Sequence, residues 1–182
     1  MAFGAEALML RGRVAYREAI LESAYLVAQG RGRVPTDKQG RNVSGLCLAQ
    51  TRMIIEDAFG WPSHFWYEKY VTEWVQPPGY DRRLGHWARD AERSLRNLGM
   101  AVPYENRAAG DLLFKWKSAY SMQWGAYIGH VGVLIDGDLV LENINPRFRL
   151  GEGFMRGSTG ITPVDAWEQV TTVIRFIPEG WE

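Results

Sequence analysis

Apolar residues recur at a helical period over residues 14–29, where Tyr16, Ile20, Ala24 and Val27 form one stripe and Gly30 ends it. The spacing predicts a first helix there. An apolar run over residues 46–59, stopped by Gly60 and Pro62, predicts a second. Trp87, Ala91, Leu95 and Leu98 predict a third, ended by Gly99. Beyond that point the period shortens. Residues 111–116, 127–135, 138–143 and 170–176 read as strands, and Asp136-Gly137 supplies the turn between the second and third. Helices come first and consecutive strands follow. This order predicts an α+β fold, with N-terminal helices packed on a small antiparallel sheet, rather than a parallel βαβ fold.

The segments between these elements are of two kinds. Residues 30–45 hold glycines, Pro35 and the cations Arg31, Arg33, Lys38 and Arg41, a basic loop that suits either solvent or an acidic ligand. Residues 61–74 are aromatic and end at Gln76-Pro77-Pro78-Gly79, where the prolines break any regular element.

A chain of 182 residues is long enough for one sizeable core, so a single domain spanning 1–182 is expected. Positive and negative residues balance, 21 against 21, which argues against a general nucleic-acid binder. Eight tryptophans suit either a core or a cleft that stacks on sugar faces. The single cysteine rules out an internal disulfide and a multi-thiolate zinc site. No apolar run reaches membrane-spanning length, so no membrane insertion is expected. Residues 1–11 carry an acid within a short apolar stretch and make a poor signal peptide, so the expectation is cytoplasmic synthesis.

Candidate chemistry begins with that cysteine. Cys47 follows Ser44-Gly45-Leu46 at the start of the second predicted helix. Unpaired N–H groups at a helix start stabilise a thiolate and can hold a developing oxyanion. Gly45 suits the tight backbone turn such a site needs. The competing reading is that Cys47 is a small core hydrophobe. His130 lies in an apolar strand, where it either satisfies a structural hydrogen bond or acts as a base. Gly129 and Gly132 beside it leave room for a substrate or another backbone.

The next strand offers Glu142 and Asn143 to orient the imidazole, and alternation allows only one of them on the face of His130. A two-residue Asp136-Gly137 turn places Asn143 opposite His130. A three-residue loop pairs Ile135 with Leu139 and puts Glu142 on that face. A carboxylate suits a thiolate–imidazolium pair better, although Glu142 has an alternative partner in Arg147 or Arg149. His64 and His86 lack ligand spacing and are expected outside the site, with no metal and no cofactor.

Four segments in this order resemble the NlpC/P60 and CHAP cysteine peptidases. They are Ser44-Gly45-Leu46-Cys47-Leu48-Ala49-Gln50, Ala109-Gly110-Asp111-Leu112-Leu113-Phe114, Gly129-His130-Val131-Gly132-Val133 and Val140-Leu141-Glu142-Asn143. The resemblance covers residues 43–143. It implies a papain-like domain that cleaves amide bonds of peptidoglycan peptides, with Cys47 as nucleophile, His130 as base, and Glu142 or, second, Asn143 as the orienting residue. Leu46 stands where NlpC/P60 domains usually carry an acid, which favours the CHAP-like side. Asp37 is the only acid in the preceding loop, so no calcium site is expected. Residues 61–102 are long for the family and read as an aromatic insertion that serves specificity or adds core.

By analogy, the absence of a leader points to a phage lysis enzyme or a virion component, acting on the wall after release or with virion proteins as partners. Two alternatives stay open: a non-catalytic binding module on the same fold, and a cysteine acyltransferase or deamidase.

Overall fold

The computed structural model describes residues 3–41, 46–75, 86–115, 129–143, 154–155, 159–167 and 170–179. Four helices, α1 (Phe3–Ala28), α2 (Cys47–Phe59), α3 (Phe65–Tyr70) and α4 (Ala88–Asn97), precede seven strands. The strands are β1 (Ala101–Val102), β2 (Leu112–Lys115), β3 (His130–Asp136), β4 (Leu139–Asn143), β5 (Phe154–Met155), β6 (Thr159–Pro163) and β7 (Val170–Ile174). They form one sheet in the order β1-β7-β2-β3-β4-β6-β5, with every pairing antiparallel. The α+β class expected from the sequence is the class observed. Among the described residues no helix is long and apolar enough to cross a membrane.

The four apolar positions that mark α1 are all buried. Ile20, Ala24 and Val27 join Leu48, Ile54 and Ile55 of α2 and Ala91 and Leu95 of α4 over the face formed by Leu112, Phe114, Val131, Val133, Leu141 and Ile174. Leu98, the fourth position of the α4 stripe, instead points to solvent at 54% exposure, because the helix ends at Asn97. The opposite sheet face has its own smaller core of Leu113, Leu134, Val140 and Val173, covered by Val164 and Trp167. Alternation along β3 and β4 therefore decides on which side of the sheet each residue works.

Several elements lie outside the sequence expectation. β6 spells Thr-Gly-Ile-Thr-Pro, too rich in turn formers to read as a strand, yet it pairs with the whole of β4. β1 and β5 are two residues each, below any periodic signal. Within the aromatic stretch, α3 forms after a left-handed His64, the one described non-glycine residue with positive φ. The strand expected over 111–116 is observed as Leu112–Lys115, and that over 127–135 as His130–Asp136. Pro77-Pro78 and Ser44-Gly45 lie outside the described residues.

The β3–β4 hairpin resolves the register. Its turn is Gly137-Asp138, closed by the pair Asp136–Leu139, not the expected Asp136-Gly137. Ile135 is then left without a partner as a bulge, and pairing resumes at Leu134–Val140 and Gly132–Glu142. The bulge puts the rest of β4 into the register of the three-residue alternative, so Glu142 shares the face of His130.

Candidate active site

Cys47 is the first residue of α2 and keeps part of its surface in solvent. The His130 side chain and the backbone N–H groups of Val131 and Leu48 lie close enough to its sulfur to stabilise a thiolate. Two of these contacts come from β3 and one from the first helical turn. The helix end thus lies against the start of the strand that carries the imidazole.

The other side of the imidazole is fixed by β4. His130 Nε2 lies 2.5 Å from Glu142 Oε2, and both residues are buried. This leaves Nδ1 as the ring nitrogen available to the sulfur. Thr162 of β6 donates to the second carboxylate oxygen, Oε1. Glu142 is therefore held at both oxygens, one on the base and one on the neighbouring strand. The alternative partners Arg147 and Arg149 lie outside the described residues.

Asn143 takes the other side of the sheet, as alternation requires. Its Oδ1 accepts the Leu46 N–H at 3.0 Å, immediately before Cys47. Leu46, at the N-cap position, makes no side-chain capping bond, so Asn143 from β4 anchors the backbone that presents the thiol. The two consecutive residues thus have separate duties, Glu142 on the imidazole and Asn143 on the nucleophile's backbone.

The electrostatics follow from this geometry. Burial pushes the Cys47 thiol up, but the charge and hydrogen bond of His130 and the two N–H groups bring it below its ordinary value. Burial pushes His130 down, but the Cys47 and Glu142 contacts raise it from 6.5 to about 9. Burial pushes Glu142 up, but His130, then Thr162 and the Lys115 charge, hold it below the usual carboxylate range. All three directions favour a thiolate–imidazolium pair next to a carboxylate near neutral pH.

The two glycines beside His130 do not open a substrate path. A Cβ on Gly132 would lie 2.5 Å from Val140 Cγ1, 2.9 Å from the Leu141 carbonyl oxygen and 3.0 Å from Trp167 Cζ2, so side chains and the backbone of β4 already fill that space. Gly129 has φ +62 and faces the Lys115 carbonyl, so it serves the backbone approach that was the other expectation. Asp111 of the Gly-Asp segment is structural. It is fully buried and binds the Arg175 guanidinium through both oxygens, at 3.0 and 2.9 Å.

The aromatic stretch divides in two. Trp61, Trp66 and Tyr70 pack with Phe176, adding core. Tyr67 turns instead toward the thiol side, with its ring 5.2 Å from the Arg52 guanidinium and 5.6 Å from the His86 ring. Its hydroxyl is hydrogen-bonded to Arg52 and feels the Cys47 charge. His86 itself sits 3.6 Å from Asp90, and His64 caps α3, both away from the Cys47–His130–Glu142 line. Sequence reasoning did not single out Thr162, Trp167 or Tyr67, because each reaches the site through a tertiary contact that local pattern does not encode.

Two of the four cations of the basic loop are paired: Arg33 with Asp57, and Arg41 with Asp37 at 2.7 Å. Among the described residues no group of His, Cys, Asp and Glu is arranged to hold a metal. No family model, curated protein or solved structure matches the chain.

Proposed function

We propose that this protein is a cysteine-dependent amidohydrolase of papain-like fold that cleaves amide bonds in peptidoglycan peptides. The observation that carries the reading is the single line from Cys47 through His130 to Glu142, with the sulfur at the start of α2. A merely structural cysteine has no need of an imidazole whose far nitrogen is fixed by a buried carboxylate. The choice of peptidoglycan rests on the resemblance of the four sequence segments.

In this mechanism the Cys47 thiolate attacks the amide carbonyl, and N–H groups of the first α2 turn stabilise the oxyanion. His130 gives its proton to the leaving amine as the C–N bond breaks, leaving an acyl thioester on Cys47. Neutral His130 then takes a proton from water, and the hydroxide breaks the C–S bond. The acid leaves, and the ion pair is restored. Glu142 keeps the imidazole oriented throughout and stabilises its charged form. Such an enzyme would act on the wall after release or as part of a virion.

The test is turnover of purified peptidoglycan by the wild type and Cys47→Ser, with new amino and carboxyl ends identified by mass spectrometry. Wild-type release that Cys47→Ser lacks supports the reading. Equal release by both overturns it, and transfer of the acyl group to an amine rather than to water assigns the chain to acyl transfer.

A further inference from the structure

The β3–β4 hairpin can close in two ways, and its own sequence does not choose between them. Gly137-Asp138 suits a tight turn under a straight ladder as well as under a bulged one. Slipping β4 by one residue exchanges Val140 and Leu141 between the two sheet faces, and aliphatic side chains line the cores on both. The same slip exchanges Glu142 and Asn143 at the imidazole. A group outside the hairpin therefore has a register to select, and α1 supplies one. The Tyr25 hydroxyl donates to the Ile135 carbonyl at 3.0 Å. Leu134 directs both of its backbone groups away from β4, to the Gly110 N–H at 2.7 Å and the Asp111 carbonyl at 2.9 Å. Ile135 is thus the residue that faces β4, where the bulge leaves it without a pair. It is 3% exposed, and a carbonyl freed there needs a donor from the protein. Tyr25 is 42% exposed and adds little to the core, so its hydroxyl is what it contributes.

We propose that Tyr25 is a positioning residue for Glu142: its hydroxyl holds the Ile135 carbonyl out of the ladder and so fixes the hairpin register that brings the carboxylate to His130. The inference rests on the reading of Glu142 as the residue that orients the base, but its test does not require turnover. In a straight ladder the Ile135 carbonyl turns to β4 and the phenol is left to water, so the bond with Tyr25 exists in one register alone. Asn143 on Leu46 and Thr162 on Glu142 secure that register once it is set. One hydrogen bond of this kind biases the two registers by roughly fivefold.

The experiment follows the ring signals of the three histidines by NMR through a pH titration of the full chain, together with the cross-strand contacts of β3 and β4. Tyr25→Phe keeps the ring and removes the hydroxyl. It should shift the registers about fivefold toward the straight ladder. A second His130 signal then titrates below that of the wild type, and an Ile135–Val140 contact appears beside Leu134–Val140. The other charged groups around this pair, Cys47 of α2, Lys115 of β2 and Arg89 of α4, do not move with β4. His64 and His86 serve as internal controls. The sign reverses in a chain carrying both Glu142→Asn and Asn143→Glu, because the straight ladder now brings the carboxylate to the imidazole. Adding Tyr25→Phe there should raise the His130 midpoint. A purely structural Tyr25 would lower the unfolding temperature in Tyr25→Phe yet leave one His130 signal and the Leu134–Val140 contact alone, which overturns the proposal. A change of the same sign in both backgrounds overturns it too. If the exchanged chain fails to fold, the cross-strand contacts of Tyr25→Phe decide, and either outcome leaves the peptidoglycan assay a separate question.

Discussion

Replacing Glu142 by Gln keeps the size and one hydrogen bond of the side chain but removes the charge 2.5 Å from His130 Nε2. The rise of His130 from 6.5 to about 9 is about 2.5 units, roughly 3 kcal/mol in favour of the imidazolium. Cys47 supplies the larger part of that rise and Glu142 the smaller. The substitution is therefore expected to lower the His130 value and to weaken the ion pair. Near neutral pH part of the pair should then shift from thiolate–imidazolium to the neutral thiol–imidazole form. Because Cys47 is the only cysteine, iodoacetamide labels one site, and the adduct can be counted by mass spectrometry without any substrate. Near neutral pH the variant should label more slowly than wild type, with the two converging well above pH 9, where both carry a plain thiolate. Superimposable profiles across the whole range would show that the Glu142 charge does not act on the pair.

Further outcomes follow from the same contacts. Hydrolytic activity should follow a bell-shaped pH profile whose alkaline limb falls near 9, where His130 loses its proton, and whose acid limb lies below the ordinary thiol range. In stability terms the His130 contribution is fully present below 6.5 and is lost as pH rises through about 9, which a series of thermal melts reads directly. Asn143→Ala removes the acceptor for the Leu46 N–H and should cost about 1 kcal/mol in denaturant unfolding. It should leave the His130 titration in place, unlike Glu142→Gln. Glu56→Ala leaves the buried Arg52 without the carboxylate 3.2 Å away and should destabilise by about 3–5 kcal/mol, measured by the shift in urea midpoint.

What the sequence made legible was decided by local period. Tyr16, Ile20, Ala24 and Val27 are four helical-spaced apolar residues, and that spacing alone marks the buried face of α1. His130 stood out because a titratable side chain interrupts an apolar strand. The choice between Glu142 and Asn143 was not legible, because it depends on one bulged residue, Ile135, and no propensity marks that residue as the one left unpaired. Thr162 and Trp167 were hidden for a different reason. They lie on or beside β6, whose Gly160 and Pro163 disguise it as a loop, and their partners are 20 and more residues earlier in the chain. The choice between a substrate and another backbone beside Gly132 was hidden for the same cause, since the groups that fill its notch are named only by the folded sheet.

The Ile135 bulge makes the site a matter of counting as much as of composition. A straight ladder closed by the same Gly137-Asp138 turn would bring the Asn143 amide to the imidazole and swing the Glu142 carboxylate under α2. Such a molecule would hold the same side chains but set an amide, not a carboxylate, against the imidazole. Refolded preparations should then be sorted by sulfur reactivity: a sluggish alkylating fraction within an otherwise compact population would be the tally of hairpins that zipped one step out of place.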